Sequence, residues 1–390
     1  MPLASLAGQA GIDPSTVHDM GTILIAAGGG GDAITSAAMR RTLNLAGPLV
    51  IMSYAWDRLM IDPVPAPLTS SDFTGLRELR PGVYEVLPES QARPPAGSSL
   101  PRLADELDAR ILLLDPANGA VGMAQQIARA AEFFAAGDAA LVDVGGDSLT
   151  TGNEPGLRSP LADQLAIAAC LRSQIPTTLV IPAAGVDGEL EFSAITARLK
   201  DLHARRLPEL TSTDLDPIRR VFRWHPSEAS GLLAAATFGH RGYVEVRDAG
   251  DHVALTDETP SVHAIDLTAV TANGATAPGL ELTETVSLAD AEAAIERITG
   301  ISELRYERAK AARRDGQPPR RVTAQDLDTV DQHAAQAAGR GADYISLRRL
   351  AELIGARTLD GYAKLGQLLA ENRSDRHGPS IYRVAEYGSN

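Results

Sequence analysis

The chain of 390 residues holds one cysteine, Cys170, so neither an intrachain disulfide nor a thiolate metal cluster can form, and a reducing compartment is expected. The residues around it, Leu165 to Leu171, read as buried helix, which makes the thiol an inert core group. Long apolar runs are missing as well. No stretch approaches the roughly 18 residues that a membrane span needs, and Met1-Pro2-Leu3-Ala4-Ser5 carries no basic region ahead of apolar residues. A cytoplasmic protein without a membrane anchor is therefore expected. His203, His240, His252 and His263 form no H-x-x-x-H or H-x-H pair, which disfavours zinc, and neither a G-x-S-x-G elbow nor a P-loop is present. Positive charge is short, with 36 Lys and Arg against 50 Asp and Glu and a formal net charge of −14. Such a surface repels phosphate backbones and anionic headgroups, so neither nucleic acid nor membrane is expected as a partner.

What the chain does have is a series of short, nearly continuous apolar runs separated by helical patterns. Thr22 to Ala26, Leu49 to Ser53, Ile111 to Leu114, Ala140 to Val144 and Thr178 to Ile181 read as strands covered on both faces. They predict an α/β protein with a doubly wound, mostly parallel, Rossmann-like sheet. Helices are expected over 33–45, 120–136, 161–173 and 288–314, the last opened by Ser287 with Asp290. Val83 to Leu87 alternates and suggests an edge strand. Gly242 to Arg247 with His252 to Leu255, joined through Asp248-Ala249-Gly250-Asp251, reads as a hairpin, and Ser261 to Leu267 as a further strand. Segment 62–101, rich in Pro, Ser and Gly, reads as a long loop or lid. After Asp315-Gly316-Gln317-Pro318-Pro319 the composition turns helical, with Tyr344 to Ile354 and Leu359 to Glu371 the clearest helices. The division is thus an α/β domain over 1–315 and a C-terminal helical appendage over 316–390. Each appendage helix has an apolar stripe that packs on the parent domain or on a second copy, in a homo-oligomer.

Two glycine-rich loops carry the chemistry. Strand, then Gly28-Gly29-Gly30-Gly31-Asp32, then helix is the context in which backbone N–H groups and a positive helix end receive a phosphate or nucleotide, although a tight turn without a ligand has the same sequence. Gly28, Gly30 and Ala33 also satisfy a dinucleotide fingerprint, with Asp57 as the acid for a ribose. Asp32 would repel a pyrophosphate there unless a divalent cation such as Mg²⁺ lay between them, or it serves only as a helix cap. The second loop, Asp143-Val144-Gly145-Gly146-Asp147, also closes a strand; Asp143 and Asp147 are candidates for acid/base work, and Asp32 and Asp147 for metal binding. Asp115-Pro116-Ala117-Asn118-Gly119 and Pro182 to Gly188 should share the same rim. Tyr54 and Trp56 are candidates for a stacking wall or for the core. His225, in Arg223-Trp224-His225-Pro226-Ser227-Glu228, is the best histidine for general acid/base duty, or a surface residue ahead of a proline.

Through Ile23 to Ala33 and Val142 to Asp147 the chain resembles the domain of unknown function 1152 family over roughly residues 20 to 310. That resemblance implies no activity and no catalytic residues. The loops are also similar to the Ser-Gly-Gly-x-Asp-Ser pyrophosphatase loop of adenylating ligases, with Ala27 or Val144 in place of the leading serine. The leading expectation is an enzyme acting on a phosphate- or carboxylate-bearing metabolite by group transfer, hydrolysis or related polar chemistry. The alternatives are an NAD(P)-dependent oxidoreductase and a non-enzymatic metabolite-binding regulator.

Overall fold

The computed structural model describes residues 21–247, 250–272, 277–314 and 320–384. The N-terminal residues Met1 to Ser5, the Asp248-Ala249 tip of the expected hairpin and the expected boundary Asp315 to Pro319 lie outside these. Five apolar runs form the centre of a nine-stranded sheet: β1 (Gly21–Ala26), β2 (Leu49–Ser53), β3 (Ala109–Leu113), β4 (Ala136–Val142) and β5 (Thr177–Pro182). They are mutually parallel and lie in the order β3-β2-β1-β4-β5. This is the doubly wound α/β order. The direction of winding reverses between β1 and β4, and in open sheets of this type the crevice at that reversal is where ligands bind.

Alternate residues of β1 enter different cores. Ile23 and Ile25 pack with Met123 and Leu165, whereas Leu24 and Ala26 pack with Ile34 and Leu232. Both faces are covered, which is why these strands read as unbroken apolar runs. One face carries α2 (Gly119–Phe134) and α3 (Pro160–Ser173), and the other α1 (Gly30–Ala38) and α4 (Glu228–Thr237). Residues Pro160 to Cys170 of α3 are buried without exception, Cys170 among them.

Antiparallel strands extend both edges, Val262–Asp266 with Arg205–Leu207 beyond β5, and Val83–Val86 with Arg77–Arg80 beyond β3. Val83–Val86 is therefore not the edge; the charged strand Arg77–Arg80 covers it. Segment 62–101 is likewise not a free lid, since it contributes these two strands and the antiparallel pair Phe73–Thr74 and Gln91–Ala92. The helix expected over 33–45 ends at Ala38. The one expected over 288–314 is two, Leu288–Thr299 and α5 (Glu303–Arg314), divided where Gly300 turns left-handed at φ 71°. Ser287 caps the first by accepting the Asp290 N–H at 3.0 Å.

The C-terminal segment has the expected helices, α6 (Leu347–Ile354) and α7 (Leu359–Asn372), and strands besides. Tyr344–Ser346, read as the start of a helix, instead joins a second, five-stranded sheet beside Gly242–Val246, together with Asp251–Leu255, Ile381–Arg383 and His377–Gly378. Its apolar stripes close on one another and on Met60 through Leu350, Ile354, Tyr362, Leu365 and Leu369.

Candidate functional site

A cavity of about 470 Å³ opens at the carboxyl ends of β1 and β4. Gly28, Gly30, Gly31 and Asp32 line it from one glycine loop, and Asp143, Val144 and Asp147 from the other. Loop conformation follows from the residue types. Gly29 caps α1 at φ 119°, and Gly145 sits at φ 121° where any side chain would overlap the Asp187 carboxylate. Only glycine adopts these angles against such neighbours without strain.

Asp32 lies inside the first turn of α1, whose cap is Gly29, and its carboxylate turns back to accept the Gly28 N–H at 2.6 Å. The backbone of Val144, in the second loop, also favours the charged form of Asp32. Asp143 is held by the N–H groups of Gly146 (3.2 Å) and Ser148 (3.1 Å). Asp163, from the first turn of α3, completes the group: carboxylate oxygens of Asp143, Asp147 and Asp163 lie within 4.8 Å of one another. All three are buried, and none takes part in an ion pair among the described residues. Two ionised carboxylates at that separation repel by about 3 kcal/mol at an effective dielectric of about 20. Burial first, and repulsion by neighbouring carboxylates with it, raises the pKa of Asp32, Asp147 and Asp163 well above the ordinary range; burial also raises Asp143. Asp187, after β5, is raised to about 7 by burial and by Glu189.

Around the whole cavity eleven carboxylate side chains face five basic ones. The all-oxygen donor set of Asp143, Asp147 and Asp163 suits a hard divalent cation such as Mg²⁺, Mn²⁺ or Ca²⁺. Trp56 lines the cavity with the Arg58 guanidinium 3.7 Å from its ring centroid, and Arg58 pairs with Glu303 of α5.

His225 lines the cavity but is buried. Its Nδ1 accepts the Ser227 N–H (3.1 Å), its Nε2 lies 3.2 Å from Ser99 Oγ, and Ser99 donates to Asp57. Burial, then Arg348 and Arg102, lower its pKa to about 3, so the ring is neutral at physiological pH. The Ser99 N–H also donates to Asp57, at 2.8 Å. Both Asp57 oxygens are thus engaged. Tyr54 is not a stacking wall; it is 1% exposed and its hydroxyl donates to Ala162 O at 3.1 Å. Asp115 lies away from the cavity and accepts from Ala117 and Ser70. Asp163, Arg348 and the α5 carboxylates are wall residues the sequence did not single out.

Fold and site together define a doubly wound α/β protein with an acidic crevice at its topological switch point. Residues 23–311 match the model of a family described as a protein of unknown function (DUF1152), and the chain belongs to that family. No curated protein and no solved structure is significantly similar to it. Among the described residues no helix is long and apolar enough to cross a membrane.

Proposed function

We propose that this protein is an enzyme that holds a divalent cation on Asp143, Asp147 and Asp163 and acts on a phosphate- or carboxylate-bearing metabolite by hydrolysis or group transfer. The observation that carries this reading is the convergence of three buried carboxylates within 4.8 Å, without ion-pair partners among the described residues, at the switch point of the sheet. Like charges so placed either share protons or bind a cation. When bound, the cation supplies electrophilic polarisation of the substrate oxygen and acidifies a coordinated water. Asp32 would then steady the first loop through Gly28, and a carboxylate of the group would take the proton from the attacking hydroxyl and pass it to the leaving oxygen as its bond to phosphorus or carbon breaks. His225, neutral and engaged at both nitrogens, is better suited to fixing Ser99 and Asp57 than to carrying charge. The nicotinamide alternative has less support, because Asp57, its ribose acid, is already taken up by Ser99.

Calorimetric titration with Mn²⁺ and Mg²⁺, followed by product analysis on a panel of phosphorylated and carboxylated metabolites, tests the proposal. Wild type is expected to bind Mn²⁺ and to turn over a member of the panel with metal present. Asp147→Asn should weaken Mn²⁺ at least tenfold and abolish turnover while its melting temperature holds or rises, since a repelling charge is removed. Wild type that takes up no metal, or Asp147→Asn that keeps full turnover, would overturn it.

A further inference from the structure

Five basic side chains line the cavity, and four of them are already partnered by carboxylates. Arg58 pairs with Glu303, Arg158 with Asp251 at 3.1 Å, Arg247 with Glu189 at 3.3 Å and Lys310 with Glu352 at 3.8 Å. Arg348 is the exception: half-buried on the wall, it forms no ion pair and no hydrogen bond among the described residues. An unpaired guanidinium beside so many carboxylates is unusual because pairing would ordinarily stabilise both groups.

The backbone around Arg348 is pinned on both sides. Ser346 donates its hydroxyl to Glu228 and caps α6 by accepting the Arg349 N–H at 3.0 Å. Arg349 donates to the buried Glu245 at 2.5 Å and to the Arg247 carbonyl at 2.5 Å. Leu347 N–H donates to Ser380 O at 2.8 Å. Its neighbours are committed to the fold, and Arg348 alone is presented to the cavity from a fixed helix start. Preorganisation of this kind lowers the ordering cost of binding an anion.

We propose that Arg348 binds the anionic group of the substrate, and that this group is a phosphate held between the guanidinium and the cation on the aspartate cluster. The inference rests on the function proposed above. It assigns a substrate-binding residue to the C-terminal segment, outside residues 23–311 that the family model matches. Arginine suits the role because its planar fork meets two phosphate oxygens at once, which lysine cannot do. The surplus of carboxylates also sets an order: the cation must enter before the phosphate, since the empty cavity repels it.

The test uses the full-length chain, Mn²⁺ as metal and pyrophosphate as anion, with heats of binding for wild type, Arg348→Ala, Arg348→Lys and Asp147→Asn. Wild type should take up pyrophosphate only when loaded with Mn²⁺. Arg348→Ala should bind Mn²⁺ as wild type does, melt at the same temperature, and bind pyrophosphate at least tenfold more weakly, with Arg348→Lys between. Equal pyrophosphate affinity in wild type and Arg348→Ala, or no uptake by Mn²⁺-loaded wild type, overturns the role of Arg348 and leaves the metal reading standing. Metal-free uptake that Arg348→Ala abolishes supports Arg348 and overturns the metal reading instead.

Discussion

Asp62, at the end of the short helix Arg58–Ile61, is 1% exposed; Oδ1 accepts from Val64 (2.9 Å) and Gly97 (3.1 Å), and Oδ2 has no partner among the described residues. Burial raises its pKa to about 7, with Asp57 and Asp72 adding repulsion. A carboxyl raised in the folded state binds more protons folded than unfolded between its ordinary pKa, near 4, and 7. Its contribution to stability is thus present at acid pH and lost as pH rises through that window. Asp62→Asn keeps the acceptor and removes the charge, so the gain in urea midpoint over wild type should grow from pH 5 to pH 8. A constant gain would show that Asp62 is not the group responsible. At this scale the sequence revealed much of the crevice: Asp32, Asp143 and Asp147 stand beside glycines at strand ends, where their position is informative. Asp163 was hidden because it sits among Leu161, Ala162 and Leu165 in what reads as a core helix, and α3 is buried on all sides, the aspartate included. Arg348 was hidden because a basic residue in an amphipathic helix reads as solvent-facing.

Glu245, on Gly242–Val246, fastens the second sheet to the C-terminal segment. Its side chain is fully buried and accepts from Arg349 and, at 2.7 Å, from Arg340. Burial would raise its pKa, but the two guanidinium groups outweigh it and hold the carboxylate below the usual range. Glu245→Ala leaves Arg349 buried without its counter-charge, a change that costs about 3–5 kcal/mol. Urea unfolding should show that loss, and a loss under about 1 kcal/mol would mean that water replaces the carboxylate. Among the elements, the five parallel strands were legible because each is covered on both faces, whereas Arg77–Arg80 and Arg205–Leu207 were not. Short edge strands with charged side chains lack the apolar pattern that marks a strand. Tyr344–Ser346 was misread because its three residues run straight into α6, and its pairing with Gly242–Val246 is set by tertiary contact.

For the molecule as a whole, the C-terminal segment is structural and forms part of the crevice wall. Its apolar stripes are largely buried within the chain, with Leu353 exposed, and light scattering on the full chain tests whether copies associate. A chain ending at Arg314 would bare Met60 and the unpaired edge of Gly242–Val246, and should bind an apolar dye strongly and aggregate. A well-folded, soluble short chain would show that the α/β sheet is self-sufficient. The placing of Arg348 also bears on how the protein is made. Synthesis delivers the N-terminal parts of a chain first, and the two glycine loops emerge long before residue 348. A nascent chain can therefore assemble its aspartate cluster while the wall that would hold the phosphate is still missing. On the roles proposed above, substrate capture would await the last part of translation, and a chain ended prematurely near Arg314 would lose both the anion-binding arginine and the strand that covers Gly242–Val246.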